Sequence, residues 1–490
     1  MRTAIEFVLN GQLRRIESID PTLTVMRYLR ETEKLVGTKE GCSEGDCGAC
    51  TAVVATLERG SLRYRAVNTC IQFLGMLDGQ ALITIEHLKN ADGLHPVQEA
   101  MASHNASQCG FCTPGFVMSL FAGYQQNYAS NRSTIDTLLA GNLCRCTGYT
   151  AIIDAAKSVL EKKSTENCFA ARERKIIELL RKIKREEGIH LEGEGRSYIA
   201  PGSINELTRV LRRHPKAIIV AGATDVGLFV TKQGLRIDTL VDLGKVKELG
   251  KISHTQKGLR LGATVTYERA QAELEKLYPD ISELIRRLGS VQVRNLGTIG
   301  GNIANGSPIG DMPPALIAAG ALLRLRKGSD TREIALERFF IAYGKQDRRQ
   351  SEIVESVFIP RPKGNNVLKV YKISKRFDQD ISSVCGAFHL TFHDAGQKLL
   401  SARICFGGMA GTPMRARSCE RFLRGKPWTD AVVADAIEIL RMDFQPISDW
   451  RASAEYRQTV AGNLLRRCFL ETTGRQPLQL YTAREAAHAH

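Results

Sequence analysis

Eight of the thirteen cysteines fall before residue 150, and their spacing constrains this 490-residue chain more than any other feature. Cys42, Cys47, Cys50 and Cys70 follow C-x4-C-x2-C…C, the plant-type 2Fe–2S spacing. The loop between the first three, Ser43-Glu44-Gly45-Asp46 and Gly48-Ala49, carries glycines that let backbone wrap an inorganic core and aim N–H groups at sulfur. Structural zinc is the alternative, although such sites typically use paired C-x2-C elements. The second group, Cys109, Cys112, Cys144 and Cys146, has spacing that by itself leaves zinc and a second cluster both open. Thr113-Pro114 reads as an N-cap followed by Pro at N1, so Cys112 stands at a helix start. Cys144 and Cys146 precede another helix, beginning near Tyr149. Free N–H groups and partial positive charge at helix N-termini favour thiolates.

The remaining cysteines, Cys168, Cys385, Cys405, Cys419 and Cys468, share no ligand spacing and read as structural. No basic n-region with an apolar stretch follows Met1, and no apolar run reaches the roughly 18 residues a membrane span needs. The longest, Ala315–Leu323, reads as a buried helix. A cytoplasmic location is expected, where thiols stay reduced and close spacing argues for metal over disulfides. Residues 1–165 balance acid and base, so the excess of 68 Lys and Arg over 52 Asp and Glu lies beyond them. No nucleic-acid motif accompanies it, which leaves an acidic partner, anionic cofactors or simply a solvated basic surface as its readings.

Hydrophobic periodicity gives the organisation. Residues 3–19 read as a hairpin turning at Asn10-Gly11, followed by an amphipathic helix near Val25–Glu33 and a strand pair, 51–57 and 62–67. Helical spacing takes over from about residue 90, with Val117, Leu120, Phe121 and Tyr124 on one face and Ile152, Ala156, Val159 and Leu160 on another. Residues 163–196 are highly charged, and Ile176, Leu179, Leu180 and Ile183 mark a short linker helix within them. Glycine-rich alternating strands and helices run to about 362, and a last α+β stretch ends in a polar tail holding His488 and His490.

Two glycine-rich segments stand out in the later half. Ile218–Gly227 runs from an apolar strand into a small-residue loop, and Gly297–Asp311 combines glycine with amide and hydroxyl side chains. Either could offer clustered backbone N–H groups to a phosphate, though such turns are commonly only turns. No G-x-G-x-x-G follows a strand, so a Rossmann site is not expected.

The strings Gly41–Cys50, Gln108–Gly115 and Gly141–Gly148 resemble the iron–sulfur portion of the molybdenum hydroxylases, a family that includes xanthine dehydrogenases, aldehyde oxidases and carbon monoxide dehydrogenases. The resemblance implies a multidomain α+β chain. Its expected parts are a β-grasp, ferredoxin-like 2Fe–2S domain at 1–88, a four-helix 2Fe–2S domain at 89–163 and a charged linker at 164–190. An FAD domain of the vanillyl-alcohol-oxidase (PCMH) type at 191–365, a C-terminal α+β flavoprotein subdomain at 366–476 and a tail at 477–490 complete it. All eight cysteines named above become cluster ligands. Ile219, Val220, Ala221, Gly222, Ala223, Thr224, Asp225 and Val226 would cradle the FAD pyrophosphate, and Thr298, Gly300, Gly301, Asn302, Ser307 and Asp311 would line the rest. Tyr371–Ser382 and Phe406–Ala410 resemble segments near the isoalloxazine, and Ile381 and Arg417 carry over on looser matches. Asp378 and Asp380 lie close to the flavin segment and are candidates to influence NAD access, although an exposed turn is the better explanation.

Clusters and flavin in one chain is the arrangement of the two-subunit xanthine dehydrogenases within the family. The resemblance therefore implies an electron-transfer subunit with no substrate-oxidising residue of its own. Its expected partner is a molybdopterin-binding large subunit, in an (αβ)2 heterotetramer, with NAD as acceptor and hypoxanthine or xanthine hydroxylated to urate. Neither nucleic acid nor membrane is an expected partner. A subunit of another molybdenum hydroxylase and a stand-alone iron–sulfur flavoprotein reductase are the alternatives.

Overall fold

Asn10 and Gly11 both take positive φ, 50° and 75°, as the two central positions of a type I′ turn require. They join the antiparallel strands Ile5–Leu9 and Gln12–Ile16, in register from Ile5–Ile16 to Leu9–Gln12. This hairpin opens a computed structural model that describes residues 1–89, 93–161, 169–393 and 398–474. Cys168, His488, His490 and the tail at 477–490 lie outside the described residues. The chain divides into two units, Met1–Glu248 with Gly289–Gly297, and Leu249–Leu288 with the described residues from Thr298.

In the first unit, Ile5–Leu9 also pairs in parallel with Ala81–Ile83, which pairs with Thr51–Glu58, and Ser61–Asn68 closes the edge of a five-stranded sheet. Its alternate residues point to two cores. Phe7, Ala52 and Val54 pack with Val25, Tyr28 and Leu29 on one face, and Val8, Val53 and Ala55 pack with the helices that follow on the other. The segment expected as a helix near 25–33 is α-helical only over Val25–Arg27. It then widens into a π turn, Tyr28–Thr32, closed by the bond from the Glu33 N–H to the Tyr28 carbonyl.

Helices Pro96–Ser103, Thr113–Gln125, Arg132–Leu139 and Thr150–Glu161 follow. Thr113–Gln125 is buried all round from Gly115 to Tyr124, which makes it the central helix of the group. Cys112 caps this helix with αR dihedrals, and Thr113, expected at that position, is instead its first residue. The Thr113 hydroxyl pairs with the Ser107 hydroxyl at 2.7 Å. The charged stretch carries the helix Ala170–Ile183, whose Ile176, Leu180 and Ile183 join the same core as Phe116 and Phe121. A four-stranded sheet, in the order Ile189–Gly193, Arg196–Ala200, Thr239–Asp242 and Ile218–Val220, completes this unit.

The second unit holds a five-stranded antiparallel sheet built on Ile353–Pro360, covered by helices that include Tyr267–Leu277 and Met312–Ala318. A meander of Asn366–Ile373, Val384–Phe392 and Leu399–Gly407 packs against Asp430–Asp443 and Ala454–Thr472. The apolar run 315–323, expected as one helix, is divided by a turn at Gly320 between Met312–Ala318 and the strand Leu322–Lys327. Cys385, Cys405, Cys419 and Cys468 are buried, and burial pushes each thiol upward, as suits structural residues. Among the described residues no helix is long and apolar enough to cross a membrane.

Candidate functional site

The cysteines expected as ligands come together in pairs. Cys42 and Cys47 exchange backbone-to-sulfur bonds, with the Cys42 N–H 3.4 Å from the Cys47 Sγ and the Cys47 N–H 3.3 Å from the Cys42 Sγ. The Glu44 N–H adds a third, at 3.4 Å to the Cys42 Sγ. The Cys47 side chain first, and these N–H groups after it, hold the Cys42 thiol down to about 5. Cys50 and Cys70 are both buried and bond side chain to side chain, which lowers the Cys50 thiol and raises that of Cys70. This first set lies on the loop and strand ends of the β-grasp sheet.

In the second set, Cys112 is the N-cap of Thr113–Gln125, while Cys109, Cys144 and Cys146 lie on the loops before that helix and before Thr150–Glu161. The Sγ atoms of Cys109 and Cys146 are 3.6 Å apart, and Cys112 and Cys144 share a side-chain bond. Burial opposes ionisation of Cys144, but the Thr147 hydroxyl at 3.2 Å and the Thr147 N–H at 3.4 Å outweigh it and leave the thiol lowered. Burial raises Cys112 to about 12. Cys109 and Cys146 are exposed, so this end of the molecule presents two thiols to solvent.

Pairing is informative. Two thiolates on one tetrahedral metal, at metal–sulfur lengths of about 2.3 Å, stand roughly 3.7 Å apart. The Cys109–Cys146 separation suits that geometry. Two pairs per set are what a two-iron cluster takes, one pair for each iron.

The segments expected to hold flavin fall in both units. In the first, Ile219 and Val220 end the strand Ile218–Val220, and Ala221 to Asp225 turn before Val226 opens the helix Val226–Thr231. Gly222 and Ala223 make the turn with φ of 122° and 61°. A Cβ on Gly222 would lie 2.0 Å from the Leu296 carbonyl oxygen. Burial pushes the Asp225 carboxyl above its ordinary range.

In the second unit, Thr298 caps the helix Ile299–Asn305 and its side chain accepts from the Gly301 N–H at 3.0 Å. The same helix carries Gly300, Gly301 and Asn302. The Asn302 Oδ1 is buried without a hydrogen-bond partner, an unmet acceptor of the kind a bound polar group satisfies. The Ser307 Oγ accepts from the Ile309 N–H at 3.4 Å. Asp311 behaves differently. Its two carboxylate oxygens are taken by the Lys372 ammonium at 2.7 Å and the Ser382 hydroxyl at 2.5 Å. These bonds draw the 298–311 and 371–382 segments together, and the Gly408 N–H joins the 406–410 segment to the Pro308 carbonyl at 2.8 Å. Ile381, beside Ser382, is exposed. Asp380 accepts from the Arg376 N–H at 2.9 Å, which orders the turn that also holds Asp378. Arg417 pairs with Glu337 at 3.3 Å, in a cluster with Arg415 and Arg403. The sequence did not single out Lys372 as Asp311's counter-ion, because a lysine within a strand pattern carries no sign of burial.

Four family descriptions match in succession. They are a 2Fe–2S iron-sulfur cluster binding domain at residues 7–71, a [2Fe-2S] binding domain at 84–157, an FAD binding domain in molybdopterin dehydrogenase at 191–362 and a CO dehydrogenase flavoprotein C-terminal domain at 369–472. Curated relatives match along nearly the whole chain. Xanthine dehydrogenase 1 of Arabidopsis thaliana is 32% identical over 89% of it, and xanthine dehydrogenase of Dictyostelium discoideum is 30% identical over 97%. The chain belongs to the molybdenum hydroxylase family, as its iron–sulfur and FAD-binding part.

The chain spans only 37% and 41% of the lengths of those two hydroxylases. Among solved structures, the quinoline 2-oxidoreductase of Pseudomonas putida 86 is similar with a TM-score of 0.52 and 27% identity, covering 56% of this chain and 96% of that one. The reconstituted CO dehydrogenase of Oligotropha carboxidovorans is similar with a TM-score of 0.52 and 28% identity, covering 55% and 94%. The expected multidomain architecture, two 2Fe–2S-binding domains followed by an FAD-binding domain and a flavoprotein C-terminal domain, is therefore that of the hydroxylase family.

Proposed function

We propose that this chain is the electron-transfer part of a xanthine dehydrogenase. Its role is to relay electrons from a molybdopterin-bearing partner subunit to FAD and then to NAD during hydroxylation of hypoxanthine and xanthine to urate. The observation that carries this is the likeness to xanthine dehydrogenases, which runs continuously through both cysteine sets and both flavin matches. Cys42, Cys47, Cys50 and Cys70 hold one 2Fe–2S centre, and Cys109, Cys112, Cys144 and Cys146 hold the other. Ile219–Val226, Thr298, Gly300, Gly301, Asn302, Ser307 and Ile381 contact FAD. Asp311 acts by anchoring Lys372 and Ser382, and Arg417 belongs to the same site. The clusters supply one-electron chemistry, and flavin supplies the step from one electron to a two-electron hydride. What the chain itself contributes is thiolates held by N–H groups, a turn without side-chain bulk and an unmet amide acceptor. The partner is a large subunit in a cytoplasmic (αβ)2 heterotetramer. The likeness to quinoline 2-oxidoreductase favours a second reading, in which the partner oxidises another N-heterocycle.

The co-purified complex tests this. Stripped of FAD, it should still bleach its clusters when given xanthine, yet make little NADH. Intact, it should be reoxidised faster by NAD than by oxygen in stopped flow. Xanthine added to this chain alone should do nothing. Xanthine oxidation by the chain alone would overturn the division of labour, and faster reoxidation by oxygen would make the complex an oxidase.

A further inference from the structure

The two cysteine sets meet at a buried polar seam. The Leu143 N–H, one residue before Cys144, donates to the Cys47 carbonyl at 3.0 Å. Beside it, the Asn142 Nδ2 donates to the Gly48 carbonyl at 3.1 Å and to the Thr51 Oγ1 at 3.3 Å. The Thr51 hydroxyl donates to the same Gly48 carbonyl at 2.6 Å, and the Ser119 hydroxyl donates to the Asn142 Oδ1 at 2.6 Å. The approach is close enough to require glycine at 48. That residue has φ of 70°, and a Cβ there would lie 2.0 Å from the Gly141 carbonyl oxygen.

Gln292 enters this seam from a distant part of the sequence. It lies within the FAD-binding match, on the short helix Val291–Leu296, yet its segment packs with the first unit. The Asn295 Nδ2 fastens the helix to the Ala66 carbonyl at 2.8 Å. The Gln292 Nε2 then stands 3.2 Å from each of three oxygens, the Thr51 Oγ1, the Ser119 Oγ and the Asn142 Oδ1. Thr51 follows Cys50 directly, Asn142 lies two residues before Cys144, and Ser119 lies two turns along the helix that Cys112 opens. One fully buried amide thus touches an element from each side of the seam, close in sequence to ligands of both sets.

We propose that Gln292 is a positioning residue that fixes the separation of the two iron–sulfur centres and thereby the rate at which an electron passes between them. The proposal rests on the ligand assignment given above. Electron passage here makes and breaks no bond, since one centre loses the electron that the other gains. Tunnelling falls off exponentially with separation, so a small slip of the seam registers in the rate. Gln292 bonds to no sulfur, so its removal should leave the ligand sets intact.

The test uses the complete protein, reduced with dithionite. Gln292→Met fills most of the space but offers no N–H, and Ser119→Ala removes one partner without a large cavity. Wild type should show two EPR signals split by their mutual interaction. Gln292→Met should retain its full iron and the g values of both signals, while the splitting shrinks and electron exchange between the centres slows. Ser119→Ala should shift both quantities in the same direction by less. A role in stability alone would lower the thermal midpoint and leave splitting and exchange rate unmoved, and that result overturns the proposal. If Gln292→Met fails to assemble, Ser119→Ala decides in the same terms. Wild type lacking two signals would instead defeat the ligand assignment itself.

Discussion

Lys372→Met should destabilise the second unit by about 3–5 kcal/mol, read as a lowered urea midpoint. The Lys372 ammonium is buried, 2.7 Å from the Asp311 Oδ2 and 3.0 Å from the Arg287 carbonyl. Methionine restores the volume and not the charge, so the Asp311 carboxylate would stay buried with the Ser382 hydroxyl bond and the nearby Arg287 charge but without its ammonium partner. The asymmetry of buried pairs makes a sharper check possible. Removing both charges, as Lys372→Met with Asp311→Asn, should recover much of the loss. If the double variant also regains its flavin, Asp311 serves the cofactor by holding the 371–382 segment. If stability returns and flavin does not, Asp311 contacts FAD directly. A midpoint unchanged in the single variant would mean that the pair is not buried as described.

Gly222→Ala should strip the protein of most of its FAD and leave its iron untouched. Two independent features forbid a side chain there. The residue has φ of 122°, which costs a non-glycine residue on the order of 1–3 kcal/mol, and its Cβ would lie 2.0 Å from the backbone oxygen of Leu296. The turn has to move, and with it the N–H groups proposed to face the pyrophosphate. Gly222→Asp adds a negative charge beside phosphate and should be no better. The ratio of flavin to iron after gel filtration reads the outcome. Full FAD in Gly222→Ala would remove Ile219–Val226 from the site, and joint loss of flavin and iron would indicate general misfolding.

The sequence disclosed most where chemistry forces spacing. The Asn10-Gly11 turn was legible because a type I′ turn admits few residue types, and the close approach of cysteines such as Cys42 and Cys47 because short fixed spacing leaves them little room to part. Packing left weaker traces. The π turn at Tyr28–Thr32 follows from one i→i+5 bond, and the break at Gly320 from one backbone angle, neither of which periodicity records. Thr113 stands one residue inside the helix that Cys112 caps, a one-residue offset at a helix end that periodicity does not resolve. Gln292 and Lys372 were invisible for a different reason. Each acts through a contact far along the chain, Gln292 with Thr51 and Lys372 with Asp311, and a single sequence holds no record of such pairs.

The account depends most on the two thiol sets holding separate two-iron centres. Iron, acid-labile sulfide and EPR of the reduced protein measure this directly, in wild type and in Cys47→Ser and Cys112→Ser. About four irons and four sulfides per chain are expected, with two distinct signals, because each set of four cysteines accommodates one two-iron cluster. Cys47→Ser should abolish one signal and Cys112→Ser the other, each leaving its counterpart in place. Stoichiometric zinc without labile sulfide, or one substitution erasing both signals while the fold persists, would contradict it.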